Sequence, residues 1–524
     1  MRALVHNILH IAFGFAFFCI AYLLINQQIL VQSILYRLAA NDYHSALMAF
    51  LAMALQATVL LIGLLLLPRR LFWLLLIVVG ISAAINVAFA QILRDTIDLA
   101  KFNWLISETR HATNAAGKFL LPTAVGLGKT LVAMGLFVAS RKLLRAALHQ
   151  QLPPFSTRPA LTCTIFLVIL PSFAFGFDVP GAIAAERNIY NYTYEKLTIP
   201  PPPQRRPVNL SDPDRQKSIE KIVWIIDESV GYDAFAKHIL PKVKAFKPVD
   251  FGKTAAMGNC SAPAHVALRS GVDVMNVAED TDLRQTPSIW GYAKQAGYET
   301  TLIDGQVSGP PQNLLLPPEA GKIDKIQSAA AGIRTDLAIA KQINARLKTD
   351  GREFVYAVLR GVHFQYSDHY PEGLIPENQS LEKQYETAIS YSKRGFFPTL
   401  LSGVDRENVA IVYTSDHGQN VKEGVTPHCS THPEKEEFAI PLLAFLPPNL
   451  AERYVVEDEN RYSASQIFPS TLTWMGYDRS QATEKYDSTL KWQSKKFIWF
   501  GRGVIPLRPG DRIAVRSSEE TLVD

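Results

Sequence analysis

Val409-Ala410-Ile411-Val412-Tyr413-Thr414-Ser415-Asp416-His417-Gly418 runs from a β-branched apolar stretch straight into an acid, an imidazole and a glycine. So short an apolar run, closed by turn residues, reads as a strand buried on both faces over residues 409–413. The pattern recurs along the second half of the chain. Residues 222–226 end in Asp227-Glu228-Ser229, residues 299–303 end in Asp304, and residues 354–359 lead towards His363. Helical patterns lie between, at 286–296, 335–346 and 380–401. Alternating β and α elements predict an α/β domain with a mostly parallel central sheet covered by helices on both faces. In such sheets ligands bind beyond the carboxyl ends of the strands, where these acids and histidines fall.

Working outward, this domain is expected over residues 220–508, with a polar, charged and disordered tail at 509–524. Before it, residues 181–219 carry Pro200 to Pro203, Arg205, Arg206 and Pro207. Consecutive prolines favour polyproline II, so this stretch reads as a semi-rigid spacer.

Residues 1–180 are almost continuously apolar. Five segments, near 8–26, 45–67, 71–94, 119–139 and 159–178, reach the roughly 20 residues that a bilayer span needs. They predict a transmembrane bundle of five spans. Arg2, Arg69, Arg70, Arg141, Lys142 and Arg145 mark the cytoplasmic ends. An odd number of spans then sets the α/β domain on the far side, the periplasm of a bacterial inner membrane. The loop between the third and fourth spans holds Asn103, Trp104, Glu108 and Thr109 and has interfacial helical character.

The net charge of +5, with no basic stretch interleaved with aromatics, argues against a nucleic-acid partner. The four cysteines, Cys19, Cys163, Cys260 and Cys429, show no C-x-x-C spacing, which excludes a zinc ribbon or thioredoxin-type site.

The chemistry-bearing set is Asp227, Glu228, His363, Asp416, His417 and His428, at strand ends or adjacent loops. Carboxylates and imidazoles are zinc ligands, and a cation would neutralise acids gathered into one pocket. Ser261, in Gly258-Asn259-Cys260-Ser261-Ala262-Pro263-Ala264-His265, is the nucleophile candidate. A free serine needs a base or a metal to attack. On the residues alone Ser261 fits a helix N-cap as well as it fits a nucleophile.

The order of these segments resembles the alkaline phosphatase and sulfatase superfamily. The whole chain is most similar to the bacterial phosphoethanolamine transferases that modify lipid A. The resemblance implies that Glu228, in Asp227-Glu228-Ser229, is a metal ligand and that Asp227 supports it. It makes Asp416 and His417 ligands and Ser261 the covalent nucleophile, with Ser270 at the family's nine-residue spacing. His363 and His428 take phosphoryl-binding or acid–base roles, with His432 the alternative to His428, and Glu108 falls in a loop that touches lipid substrate. It further implies one zinc ion or two, phosphatidylethanolamine as donor, and a glycolipid or glycan acceptor. The expected assembly is a membrane-embedded monomer. His265 stands where sulfatases carry arginine, which lowers the expectation of sulfatase activity. Cys260 and Cys429 each adjoin a proposed site residue, so they are a disulfide, two free thiols, or a pair of which one is a stray ligand. Competing expectations are a phosphoglycerol transferase, a phosphodiester or sulfate-ester hydrolase, and a non-catalytic glycolipid-binding protein.

Overall fold

The computed structural model describes residues 2–39, 43–93, 96–97, 99, 102, 120–148, 181–306, 313–329, 332–376, 379–422, 425–456, 458 and 460–523. The chain divides into two compact units, Met1–Ile199 and Pro200–Asp524.

In the first unit four helices are long and apolar enough to cross a membrane: Val5–Ile29, Tyr43–Leu66, Arg69–Ile92 and Leu120–Leu148. The expected fifth span, residues 159–178, lies outside the described residues. Some polar groups buried among these helices bond to one another or to backbone. Tyr22 donates to Gln56 Oε1 at 2.7 Å. Arg141 donates to the carbonyls of Leu64 (2.6 Å) and Leu67 (2.7 Å), closing the end of the second helix, where the last carbonyls have no intrahelical donor. Its guanidinium also lies over the Phe72 ring, 4.1 Å from the centroid. The stretch read as a spacer is helical over Ala184–Thr198. No proline interrupts residues 181–199, so the helix stops only at Pro200.

The second unit is built on a seven-stranded sheet in the order β2-β7-β6-β1-β5-β3-β4. The strands are β1 Lys221–Asp227, β2 Val249–Ala255, β3 Glu299–Asp304, β4 Lys325–Ser328, β5 Glu353–Val358, β6 Val409–Ser415 and β7 Ala439–Phe445. Pairs β1–β5, β1–β6, β3–β5 and β3–β4 are parallel. Only β7 runs against its neighbours, β2 and β6. Because strand side chains alternate faces, β1 sends Ile222, Trp224 and Ile226 into one core and Val223 and Ile225 into the other. Both faces are thus covered, as a parallel sheet requires.

Three local expectations are corrected. The helix expected over residues 380–401 is two, Leu381–Ser392 and Phe396–Leu401, parted at Gly395, whose φ is +76°. The helix expected from residue 286 begins at Ile289, capped by Ser288. The tail expected to be disordered contains β9, Val515–Ser518, paired antiparallel to β8, Phe497–Phe500. That pairing uses backbone groups, which a polar composition does not reveal.

Gly361, after β5, has φ +57°, and a Cβ there would lie 2.3 Å from the Glu228 carbonyl oxygen. Gly361→Ala is expected to destabilise the second unit by about 1–3 kcal/mol or more, read as a lowered melting temperature of the full chain in detergent. An unchanged melting temperature would refute the close approach of β5's exit to Glu228.

Candidate active site

Three parallel strands end side by side. The register pairs Asp227 of β1 with Ser415 of β6, and the Asp416 amide donates to the Asp227 carbonyl at 3.0 Å. On the other flank, Leu359 beyond β5 donates to the Ile226 carbonyl and Val362 to that of Glu228. Beyond β1 the chain turns through Ser229, held at φ +60°. Its amide donates to Asp416 Oδ1 (3.1 Å), its hydroxyl to Glu228 Oε1 (2.8 Å), and its carbonyl accepts from Tyr385 (2.7 Å). The turn therefore locks Glu228 against Asp416.

Ser261 opens the helix Ser261–Arg269, whose N-cap is Cys260 and not Ser261. Released from capping, the Ser261 hydroxyl donates to Glu228 Oε1 at 3.1 Å and lies 3.2 Å from His417 Nε2. His417 Nδ1–H donates to the Gly418 carbonyl at 2.7 Å, which holds the ring with Nε2 towards the serine. That same nitrogen is 3.5 Å from Glu228 Oε1 and 3.6 Å from Asp416 Oδ2. The His428 ring stacks on His417 at 4.5 Å between centroids and meets His363 edge-on at 5.0 Å. His363 Nδ1–H is used on the Phe364 carbonyl and His428 Nδ1–H on Gln419 Oε1.

The structure thus brings together Ser261, Glu228, Asp416, His417, His363 and His428. It does not bring in Asp227. That carboxylate accepts from Lys393 Nζ, from Tyr413 and from the Glu228 amide, and Lys393 also binds Asp336 at 2.7 Å. Burial pushes the Asp227 carboxyl up to about 6, against the pull of Lys393. His432 is exposed, and Glu108 lies outside the described residues. Sequence reasoning missed His265, Lys393 and Gln306, whose side-chain amide donates to Glu228 Oε2. Only His265 left a signal, standing one helical turn after Ser261.

Charge in this pocket is unbalanced. Burial opposes ionisation of Glu228, but the imidazoles of His417, His363 and His428 outweigh it and hold that carboxyl well below the usual range. Burial and the Glu228 charge push Asp416 well above it. Burial, with the neighbouring imidazoles, drives His428 well below its ordinary value, and burial takes His265 down to about 3. Two buried carboxylates side by side cannot both ionise without a cation between them. Glu228, His265 and Asp416 offer ligand atoms all within 4.8 Å of one another. Asp416 Oδ2 and His265 Nε2 are buried with no hydrogen-bond partner. Nitrogen and carboxylate donors at that spacing suit a divalent metal of zinc type.

Both ends of the Ser261 helix are tied down. At its start Cys260 is disulfide-bonded to Cys429, with Cα atoms 4.7 Å apart across 169 residues of sequence. At its end Arg269 binds Glu319 at 2.9 Å, and Arg205 binds the same carboxylate at 2.5 Å and Ser270 Oγ at 3.0 Å.

Residues 221–477 match the Sulfatase family model. The phosphoethanolamine transferase EptC of Escherichia coli (strain K12) is 23% identical over 244 residues, 39% of this chain and 42% of that protein. The alignment therefore spans under half the length of that relative. Among solved structures, the integral membrane lipooligosaccharide phosphoethanolamine transferase A (EptA) from Neisseria meningitidis superposes with a TM-score of 0.55 at 15% identity, covering 88% of this chain and 96% of that one. The C-terminal periplasmic domain of EcEptC from Escherichia coli, in complex with Zn, gives 0.46 at 16% identity over 60% and 96% of the two chains. At such identities the likeness to EptA is one of fold.

Two outcomes follow from the anchors of the helix. Burial alone would raise the Glu319 carboxyl, but Arg269 and Arg205 outweigh it and hold it below the usual range. A carboxyl depressed on folding contributes stability above its unfolded pKa of about 4.3, and that stability is lost as pH falls through the folded value. Glu319→Gln is therefore expected to cost roughly 3–5 kcal/mol at pH 7, with the gap to wild type narrowing below about pH 4. Equal pH profiles of melting would refute it. Cys429→Ser is expected to lower stability by about 2–5 kcal/mol and to loosen the backbone at Ser261 and His428, seen as faster amide exchange at both. Loss of protection elsewhere only would disprove the tether.

Proposed function

We propose that the protein is a phosphoethanolamine transferase acting through a covalent phosphoserine on Ser261; the match of residues 221–477 to the Sulfatase family model and the similarity to EptC support this reading. The observation that carries this reading is the Ser261 hydroxyl, free of capping and within hydrogen-bond reach of Glu228 Oε1 and His417 Nε2. The donor is phosphatidylethanolamine and the acceptor a glycan hydroxyl of the lipid A type. The catalytic domain works in the periplasm of a bacterial inner-membrane protein, which agrees with a disulfide in that domain.

Glu228, Asp416 and His417 would hold a zinc ion beside Ser261. When bound, it would lower the pKa of the serine hydroxyl and offset negative charge on the phosphoryl oxygens. The donor phosphate lies against the N-terminus of the helix Ser261–Arg269, where free amides favour an anion. Ser261 Oγ, oriented by its hydrogen bond to Glu228 Oε1, attacks phosphorus and releases its proton to solvent. The bond from phosphorus to the diacylglycerol oxygen breaks as the new bond forms. His363 and His428 line the phosphoryl oxygens, and His363 returns a proton to the departing diacylglycerol. In the second half the acceptor oxygen bonds to phosphorus as the Ser261 Oγ–phosphorus bond breaks; the acceptor's proton passes to His363, and Ser261 takes a proton back from solvent. Phosphoryl transfer of this kind depends on positioning and charge stabilisation more than on covalent help from the protein.

The full chain in detergent, given labelled phosphatidylethanolamine without acceptor, is expected to gain one phosphoethanolamine on Ser261 and release diacylglycerol. Ser261→Ala should lose the adduct and lower turnover by at least about a thousandfold, the loss expected when an essential nucleophile is removed. An adduct surviving in Ser261→Ala would overturn the nucleophile assignment. Diacylglycerol released with free phosphoethanolamine in the presence of acceptor would favour a hydrolase.

A further inference from the structure

We propose that His265 is a further ligand of the metal in this site, its Nε2 joining Glu228, Asp416 and His417; this rests on the metal reading above. His265 follows Ser261 by four residues on one helix, so the two side chains share a face, one turn apart. The ring is fully buried. Its Nε2 has no hydrogen-bond partner and stands 3.9 Å from Asp416 Oδ2, itself buried and unpartnered.

A buried imidazole that served packing alone would have both nitrogens satisfied or one turned to apolar surroundings. Here the unsatisfied nitrogen faces an unsatisfied carboxylate oxygen. Two ligand atoms bound to one zinc at roughly 2.0–2.2 Å each stand no more than about 4.4 Å apart, and the 3.9 Å separation falls inside that limit.

The far side of the ring has the support that metal-bound histidines carry. His265 Nδ1 is 2.7 Å from the Tyr356 hydroxyl, a bond that orients the ring and, with Nδ1–H donating, leaves Nε2 its lone pair for a metal. One turn further on, Arg269 is pinned by Glu319, so Ser261, His265 and Arg269 form one stripe running from nucleophile to anchor. Two imidazoles with two carboxylates are borderline donors, which favour zinc and its transition-metal neighbours over magnesium or calcium. A sulfatase arginine at this position would instead bring a fixed positive charge. The exchange for a neutral donor turns a charge site into a coordination site.

The test is zinc affinity, measured without turnover. The full chain in detergent is stripped of metal and titrated with Zn2+ in competition with a chromophoric chelator. His265→Leu is expected to bind zinc at least about a hundredfold more weakly than wild type, and Tyr356→Phe about tenfold more weakly. Equal affinity in wild type and both variants, with unchanged circular dichroism, would overturn the assignment and leave the metal reading standing. Should His265→Leu fail to fold, Tyr356→Phe decides alone, and an unchanged affinity there counts against His265. No zinc on the wild type would bring down the metal reading itself.

Discussion

The bond from the Asp416 amide to the Asp227 carbonyl, 3.0 Å long, continues the parallel ladder of β1 and β6 one step past their last paired residues. Everything chemical in the second unit depends on that continuation. It sets two carboxylates, Glu228 and Asp416, at neighbouring strand ends, and the turn at Ser229 then closes them against each other. Side-chain period in a strand is two, so a slip of one residue in either strand would send one acid into a core. The fully buried apolar runs on both strands forbid that slip.

Holding like charges together in a dry pocket is unfavourable, and the surrounding structure answers it in two different ways. Asp227 is answered inside the protein. Lys393 and Tyr413 saturate it, and Asp336 completes a buried ion cluster on the core side. Glu228 and Asp416 are answered only in part, by three imidazoles and backbone amides, and Asp416 Oδ2 is left without a partner. The difference separates a carboxylate that supports the strand end from carboxylates that present oxygens to a guest.

The nucleophile arrives from a different element and needs its own constraint. Its helix is nine residues long, too short to hold position by itself. The Cys260–Cys429 disulfide fixes its start beside the loop that carries His428. The Arg269–Glu319–Arg205 cluster fixes its end, and Trp290 donates to the same Glu319 carboxylate. Arg205 belongs to the proline-rich stretch yet is buried in this unit. That segment therefore acts at its end as a packed strut and not as a free spacer.

Much of this was legible in the residues. Apolar runs ending in Asp227-Glu228, Asp304 and Asp416-His417 announced a parallel sheet with its acids at one edge, because β-branched strands and strand-end polar groups are local patterns. Span-length apolar helices are equally local, and four of those expected are present among the described residues. What stayed hidden is non-local. Strand β4 has no apolar pattern, since all its residues are exposed. Strand β7 carries Pro441, which argues against a strand until its neighbours are known. The tail is ordered by a partner strand and by the burial of Ile513 and Val523. Asp227 and Glu228 are adjacent in sequence, but only the fold assigns one to Lys393 and the other to the pocket. His265 differs from an ordinary helix histidine only because the fold leaves its Nε2 facing Asp416. The sequence by itself determined four of the spans, the buried strands β1, β3, β5 and β6, and which residue types lie at their ends. Tertiary structure decided which of those residues meet, because register, helix docking and a cross-link spanning 169 residues are set by contacts that no local pattern encodes.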